Sequence, residues 1–182
     1  MLRVTTGTAK NKQLEVPEIE GFRAVQEIAK QAVFSIIGEK VINARCLDLF
    51  AGSGNLGIEA LSRGAERCDF VDEHPASVEV ITKNLTATGF LELAEVVRKN
   101  AVKYVVNTDN VYDIVFADPF YHDTANLHLF KNLGRILKPQ GFVVFFHGDQ
   151  LDMEKMLKDT GLRIQTQRKF GLSRVTILEK DL

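Results

Sequence analysis

Two short segments of this chain contain residue types that can carry out chemistry. Residues 47–57 read Leu-Asp-Leu-Phe-Ala-Gly-Ser-Gly-Asn-Leu-Gly, a short apolar run that leads into a glycine-rich turn. Residues 118–121 read Asp-Pro-Phe-Tyr, a carboxylate followed by a proline and two aromatic rings. A strand that turns on glycines into a helix can hold a nucleotide-like cofactor, and a carboxylate beside aromatic rings can hold a flat base by its exocyclic amine. Together the segments favour S-adenosylmethionine-dependent methylation of an amino nitrogen on a nucleobase.

The glycine-rich turn matches the pattern G-x-G-x-x-G at residues 52–57. This match alone also fits a nicotinamide dinucleotide site. Asp48 favours the methyl donor, because it lies inside the predicted strand, where a dinucleotide-binding strand is usually apolar. Its carboxylate can anchor the loop or meet the methionine ammonium group, while the glycines leave bare backbone for the aminoacyl chain. The candidate cofactor-binding residues here are Asp48, Phe50, Ala51, Gly52, Ser53, Gly54, Leu56 and Gly57.

Polar residues also follow the next two predicted strands. Asp72 ends the second strand, where a carboxylate can accept hydrogen bonds from both ribose hydroxyls. Glu73 is the alternative acceptor if the strand register differs, and Asp72 is preferred. After the third strand, Asn100 can accept a hydrogen bond from the adenine amino group through its side-chain oxygen. The backbone N–H of Ala101 can contact the adenine ring.

The segment that begins at Asp118 resembles the (Asp/Asn)-Pro-Pro-(Phe/Tyr) signature of amino-group methyltransferases. An exocyclic amine is a poor nucleophile because its lone pair is delocalised into the ring. Hydrogen bonds from its two N–H groups to the Asp118 carboxylate and the Pro119 carbonyl would return electron density to the nitrogen. Tyr121 is the preferred stacking ring, and stacking on a base contributes about 1–3 kcal/mol. Phe120 stands where the signature has its second proline. The candidate catalytic residues are Asp118, Pro119, Phe120 and Tyr121, and Asp118 also adjoins the cofactor.

Short apolar strands alternate with helices from residue 46 onward, which predicts a largely parallel sheet covered on both faces. Ligands bind such sheets at the carboxyl ends of the strands, where every motif above falls. We therefore expect one α/β domain with a Rossmann-like, seven-stranded, mostly parallel sheet that contains one antiparallel strand. Residues 1–21 would form a basic arm with a hairpin, and residues 22–182 the catalytic core. The apolar period predicts helices over residues 22–37 and 127–137.

Composition excludes several classes of protein. The chain is 45% hydrophobic and 26% charged, which is ordinary for a globular protein. It has neither an apolar run of about 18 residues nor a signal peptide, so we expect a cytoplasmic protein. Cys46 and Cys68 read as small buried hydrophobes, and no metal site is expected.

The net charge of −1 does not by itself indicate a nucleic-acid-binding protein. Basic residues are concentrated near the two ends of the chain, and they form either one phosphate-facing surface or ordinary solvated charge. The candidate nucleic-acid-binding residues are Arg3, Lys10, Lys12, Arg23, Lys169 and Arg174.

The chain resembles the RsmD family of bacterial methyltransferases. Residues 47–65, which end in Ile-Glu-Ala-Leu-Ser-Arg-Gly-Ala, are similar to the cofactor segment of that family. Gly7 with Lys10 and Lys12 resembles its N-terminal basic hairpin, and residues 169–171 resemble its C-terminal hairpin. Residues 23–28 read Arg-Ala-Val-Gln-Glu-Ile where the family typically has Arg-Pro-Thr-Thr-Asp-Arg, and Asn100 stands where an Asp is usual.

This resemblance implies a class I fold, S-adenosylmethionine as cofactor, and methylation of the N2 amine of a guanine in small-subunit (16S) ribosomal RNA. It further implies a monomer with the RNA or the small ribosomal subunit as partner. Other hypotheses stay open. The same carboxylate–proline loop serves enzymes that methylate adenine N6 or a protein glutamine amide. A catalytically degenerate RNA-binding or assembly factor and, more distantly, a nicotinamide oxidoreductase are the remaining alternatives.

Overall fold

Seven strands form a single sheet in the computed structural model, which describes residues 1–119 and 126–181. The strands are β1 (Arg45–Leu49), β2 (Arg67–Asp72), β3 (Ala94–Arg98), β4 (Tyr112–Ala117), β5 (Leu137–Gly148), β6 (Leu162–Phe170) and β7 (Ser173–Lys180). Their order is β3-β2-β1-β4-β5-β7-β6. The first five strands of this order are parallel, and β7 runs antiparallel to both of its neighbours. The predicted mostly parallel, seven-stranded sheet is thus confirmed.

Helices cover both faces of this sheet, because side chains along each strand alternate between two separate apolar cores. The helices are α1 (Glu27–Ile37), α2 (Asn55–Ser62), α3 (Pro75–Thr88), α4 (Ala101–Asn107), α5 (Asn126–Leu133) and α6 (Met153–Leu157). On one face, Cys46 packs with apolar residues of α1, α2 and α3. On the other face, Leu47 and Leu49 pack with α4, α5 and α6. Cys46 and Cys68 are free thiols in the first core, as the sequence predicts.

The strand order reverses between β1 and β4, which places their carboxyl ends side by side. The two strands are parallel neighbours, with Leu49 opposite Ala117. The loop after β1 and the Asp118 segment after β4 therefore leave the same edge of the sheet at adjacent positions. In open α/β sheets, such a switch point forms the crevice in which ligands bind.

An N-terminal arm, residues 1–14, folds back on itself and covers α2. The backbone N–H of Val4 donates to the Lys12 carbonyl at 2.9 Å, and Leu14 N donates to Leu2 O at 2.9 Å. The turn of the arm is held at the C-terminal end of α2, where Thr8 N donates to Ser62 O at 2.8 Å. Every residue of α2 is buried as a result.

The helix predicted over residues 22–37 begins only at Glu27. The preceding residues are not helical, and they contact the loop after β1 instead: Phe22 packs against Gly52, and Asn55 Nδ2 donates to the Val25 carbonyl at 3.4 Å. These tertiary contacts override the local helical period. The predicted apolar face is also partly wrong, because Ile28 is 65% exposed.

The second predicted helix, over residues 127–137, is too long at its end. α5 stops at Leu133, a single 3-10 turn follows, and β5 begins at Leu137. Leu137 already pairs with Tyr112 of β4. The last residue that the apolar pattern assigned to the helix therefore belongs to the sheet. No helix in the described ranges is both long and apolar enough to cross a membrane.

Candidate active site

The loop after β1 is a tight turn with three unusual backbone positions. Phe50, Gly52 and Gly54 have positive φ angles of 56°, 58° and 76°. Such a φ is uncommon for a residue with a side chain, so Phe50 stores backbone strain that the surrounding structure must support. Support comes from Ala51, whose N–H donates to Val71 O at 3.2 Å, and from Gly54, whose N–H donates to Ala51 O at 2.7 Å.

Two glycines of this loop are required by packing within the protein itself. A Cβ on Gly52 would lie 2.6 Å from Cε2 of Phe22, and a Cβ on Gly57 would lie 2.7 Å from Sγ of Cys68 and collide with the Phe70 ring. From the sequence, we expected glycines here because they leave bare backbone for a cofactor. The described contacts add a second reason, which is that Gly57 lets α2 approach β2 closely.

Asp48 anchors the loop to the start of α2. Its side chain is 2% exposed, and Oδ2 accepts a hydrogen bond from Gly57 N at 2.9 Å. Burial raises the pKa of Asp48 well above its usual value, and the nearby charges of Asp118 and Asp72 raise it further. The sequence left two roles open for Asp48, which were to anchor the loop or to meet the methionine ammonium group. This geometry supports the role of loop anchor.

Asp72 holds the other side of the same loop. Its Oδ2 accepts from Gly52 N and its Oδ1 from His74 N, both at 2.9 Å. The Glu73 side chain is exposed and instead accepts from Asn100 Nδ2 at 3.2 Å. Each Asp72 oxygen keeps one further lone pair, so the carboxylate can still meet ribose hydroxyls.

Asn100 is engaged at the start of α4. It is the N-cap residue, and its Oδ1 accepts from Lys103 N at 3.2 Å. The buried Ala101 follows as the first helical residue. The predicted hydrogen bond from adenine to the Asn100 oxygen must therefore share that oxygen with the cap.

Asp118 directly follows β4 at the carboxyl edge of the sheet. The residue is half-buried, and burial raises the pKa of its carboxyl to about 7. Pro119 is buried beside it. The remaining two candidate catalytic residues, Phe120 and Tyr121, lie outside the described residues.

Three carboxylates, Asp48, Asp72 and Asp118, meet at this edge. The charges of Asp118 and Asp72 raise the pKa of Asp48, which reflects repulsion between Asp48 and each of the other two. A positively charged ligand would relieve this repulsion. S-adenosylmethionine carries a sulfonium and an ammonium group, so the residues present fit this cofactor.

The raised pKa of Asp118 predicts a pH-dependent effect of Asp118→Asn on stability. Between the unfolded pKa near 3.9 and the folded value of about 7, the folded state binds the extra proton, so Asp118 costs stability as the pH rises. Above about pH 7 that cost is complete, and the neutral asparagine side chain of the variant avoids it. We expect a higher melting temperature for the variant at pH 8.5 and no difference at pH 4. Equal melting temperatures at pH 8.5 would contradict the raised pKa.

The predicted nucleic-acid-binding residues do not form one compact patch. Lys10 and Lys12 are exposed on the arm, whose turn lies at the C-terminal end of α2, away from the carboxyl edge of the sheet. Lys169 and Arg174 lie in the β6–β7 hairpin, at the carboxyl end of β5.

Three of these cations are held by carboxylates. Arg3 forms a bidentate pair with Glu27, at 3.0 and 3.2 Å. Arg174 and Lys169 both pair with Asp149. Arg23 is exposed in the segment before α1.

A buried ion pair beside the loop was missed by the sequence reasoning. Lys30 Nζ lies 2.9 Å from Glu59 Oε2 and donates to Asn55 Oδ1 and to the Arg3 carbonyl, both at 2.7 Å. Glu59 also accepts from Thr5 N at 2.9 Å. The available signal was Lys30 itself, which lies on the buried face of α1, three residues before Val33 and four before Phe34.

The two charges of this pair are affected by burial and by each other. Burial lowers the pKa of Lys30, and its pairing with Glu59 opposes that change. Burial alone would raise the pKa of Glu59, but hydrogen bonds from Lys30 and Thr5 bring the pKa below its usual value. Glu59 therefore stays ionised and ties the N-terminal arm and α1 to the helix that begins in the glycine loop.

The sheet order, the single antiparallel strand, the glycine loop at β1 and the carboxylate–proline pair at β4 define a class I methyltransferase. The family model described as conserved hypothetical protein 95 matches residues 2–179. YlbH of Bacillus subtilis, provisionally described as an rRNA methyltransferase, is 30% identical over 184 residues that cover 98% of this chain and 99% of YlbH. Ribosomal RNA small subunit methyltransferase D of Escherichia coli is 35% identical over 118 residues. That alignment covers 65% of this chain and 59% of the Escherichia coli enzyme.

This chain belongs to that family, the RsmD-type methyltransferases. Solved structures show the same fold. Escherichia coli yhhF, provisionally described as a methyltransferase, has a TM-score of 0.85 at 24% identity, with 99% of this chain and 98% of that chain covered. SMU.776, whose structure is described as a complex with S-adenosylhomocysteine (SAH), has a TM-score of 0.74 at 15% identity, with 93% of this chain and 52% of that chain covered.

Proposed function

We propose that this protein transfers a methyl group from S-adenosylmethionine to the N2 amine of a guanine in small-subunit ribosomal RNA. The observation that carries the proposal is the position of Asp118, half-buried at the tip of β4 and beside the glycine loop of β1. The class of enzyme follows from the fold and the family. The choice of a ribosomal RNA guanine rests on the resemblance to RsmD and on the small-subunit RNA methyltransferase named among the relatives.

The residues at the carboxyl edge of the sheet would hold the cofactor. The loop from Phe50 to Gly57 would receive its aminoacyl end, Asp72 its ribose, and Ala101 its adenine ring. When bound, S-adenosylmethionine supplies an electrophilic methyl group on a positively charged sulfur. Asp48 keeps the loop that would receive this cofactor in place through Gly57 N.

Asp118 and Pro119 would orient the amine and raise its nucleophilicity. The ionised Asp118 carboxylate accepts a hydrogen bond from one N–H of the amine, and the Pro119 carbonyl accepts from the other. The nitrogen lone pair then points at the methyl carbon, and the proton leaves the nitrogen after transfer. The contribution of the protein is positioning and charge, without a strong general base.

Methyl transfer to small ribosomal subunits from cells that lack this protein would test the proposal. We expect tritium from labelled S-adenosylmethionine to enter the RNA, at one nucleotide mapped by primer extension, and nucleoside mass analysis to identify N2-methylguanosine. Label found in N6-methyladenosine or in protein glutamine would instead identify adenine or glutamine as the substrate. RNA binding without transfer would favour an assembly factor, the alternative that the departures at residues 23–28 and at Phe120 support. No binding of the methyl donor at millimolar concentration in isothermal titration would contradict the whole proposal.

The two groups of exposed cations predict different effects on RNA binding. Neutralising Arg168 and Lys169 in the β6–β7 hairpin should flatten the dependence of log K on log salt by about 1–2, because each phosphate contact contributes roughly 0.7–0.9 to that slope. The matched double variant Lys10→Gln, Lys12→Gln removes the same charge from the arm and should have a smaller effect, because that turn lies away from the carboxyl edge. An equal or larger effect of the arm variant would place the arm in the interface.

A further inference from the structure

The turn between β6 and β7 carries an exposed leucine. β6 ends at Phe170 and β7 begins at Ser173, so Gly171 and Leu172 form a two-residue turn. Gly171 has a φ of 61°, as the first central residue of a type II′ turn requires. The second central position of such hairpins usually holds Asn, Asp or Ser. Leu172 is instead 85% exposed, so an apolar side chain stands where a polar one is usual.

This turn is held in a fixed position by the residue that follows β5. Asp149 N donates to the Leu172 carbonyl at 3.2 Å. The Asp149 carboxylate accepts from Lys169 Nζ at 2.6 Å and from Arg174 Nε, one on each strand of the hairpin. Both strands and the turn between them are thus attached to the end of β5, and Leu172 is exposed on a supported turn.

Leu172 lies beyond the same edge of the sheet as the candidate active site, on the side of β5 and β7. Phe145 of β5 pairs with Ala117, and Gly148, three residues further on, pairs with Ser173. A strand rises about 3.3 Å per residue and neighbouring strands lie about 4.8 Å apart. By that spacing the turn stands roughly 10 Å beyond the end of β4 and roughly 10 Å to its side.

The surroundings of the leucine are suited to a nucleic-acid backbone. Arg168 and Lys169 are exposed on β6, and the half-buried Arg174 lies on β7. Asp149 is the carboxylate that pairs with this group, so positive charge remains in excess near the turn. Phosphates would be attracted to this part of the hairpin.

We propose that Leu172 is a wedge that enters the RNA stack in the place of the nucleotide whose base turns into the site at Asp118. This inference rests on the proposed function. A base must leave its stack before an enzyme can modify it, and proteins that unstack nucleic acid insert apolar side chains, leucine among them, between base steps. Leu172 has the exposure, the support and the cationic neighbours that such insertion requires.

Leu172→Ala and Leu172→Met test the wedge, with Leu91→Ala as the matched control. Leu91 is 43% exposed in the turn before β3, and β3 is the outermost strand on the side of the sheet opposite the β6–β7 hairpin. We expect Leu172→Ala to slow single-turnover methyl transfer to small subunits at least tenfold, while RNA and cofactor affinities stay within threefold. Leu172→Met and Leu91→Ala should transfer at nearly the wild-type rate.

A second readout measures unstacking directly. In an RNA fragment with 2-aminopurine at the mapped nucleotide, the wild type should increase the fluorescence of the unstacked base, and Leu172→Ala should not. Wild-type transfer rates and fluorescence for Leu172→Ala would overturn the wedge and leave the proposed function intact. Absence of transfer by the wild-type protein itself would instead overturn both.

Discussion

Asp118→Ala is expected to lower the single-turnover rate of methyl transfer by about 10²–10³-fold, the usual cost of removing one preorganised electrostatic contact to a reacting group. Cofactor affinity should change by less than threefold, because the loop is held by Asp48 and Asp72 through Gly57 N and Gly52 N. Rapid-quench transfer assays and isothermal titration with the methyl donor measure the two quantities.

Asp113→Ala provides the matched control for this variant. Asp113 lies on the same strand, but at its amino end, where Oδ2 accepts from Lys138 Nζ at 2.8 Å and from Arg45 N at 2.8 Å. Its removal should leave the rate of methyl transfer near the wild-type value in a folded sample. Undiminished turnover by Asp118→Ala would refute the role assigned to the Asp118 carboxylate.

Lys30→Met is expected to lower the free energy of unfolding by about 2–4 kcal/mol, because it removes the buried ammonium that pairs with Glu59 and leaves Arg63 Nε, at 2.9 Å, as the remaining cation on that carboxylate. The side chains of Lys30 and Glu59 are almost completely buried, at 1% and 0% exposure. Urea unfolding followed by circular dichroism measures the difference.

Lys83→Met is the comparison for the buried pair. Lys83 forms an ion pair with Glu79 at 2.7 Å, but both side chains are more than half exposed, and such surface pairs contribute little to stability. The double variant Lys30→Met, Glu59→Gln should recover only a small part of the lost stability, because Arg63 keeps the Glu59 charge paired after Lys30 is removed. Similar losses for Lys30→Met and Lys83→Met would show that burial of the ion pair is energetically unimportant.

The parts of the fold that were predicted correctly are those with local signals. α3 begins at Pro75 and is followed by Gly89 in the left-handed conformation, and both residues mark helix ends by their own backbone chemistry. The glycines after β1 and the apolar runs of β1 and β4 are equally local. The rules of parallel sheets then put the Asp118 segment and the glycine loop at the same edge of the sheet, and the structure shows that β1 and β4 are neighbours.

The features that were missed depend on residues distant in sequence. The Phe22 ring packs against Gly52 outside any helix, and the Glu59 side chain contacts Thr5, which lies 54 positions earlier. No local period encodes such contacts. The second role of Asn100, as a helix cap, was likewise hidden by its position after a strand, where a cofactor contact was expected.

The cover that the arm places over α2 has a consequence for synthesis of the chain. Thr5 and Thr6 bind Glu59, so this part of the arm has no partner during synthesis until that helix has been made. At about 5–20 residues per second, the wait is roughly 3–10 s. We expect the arm to remain accessible to proteases on nascent chains until the first βαβ unit has emerged, and to be protected afterwards.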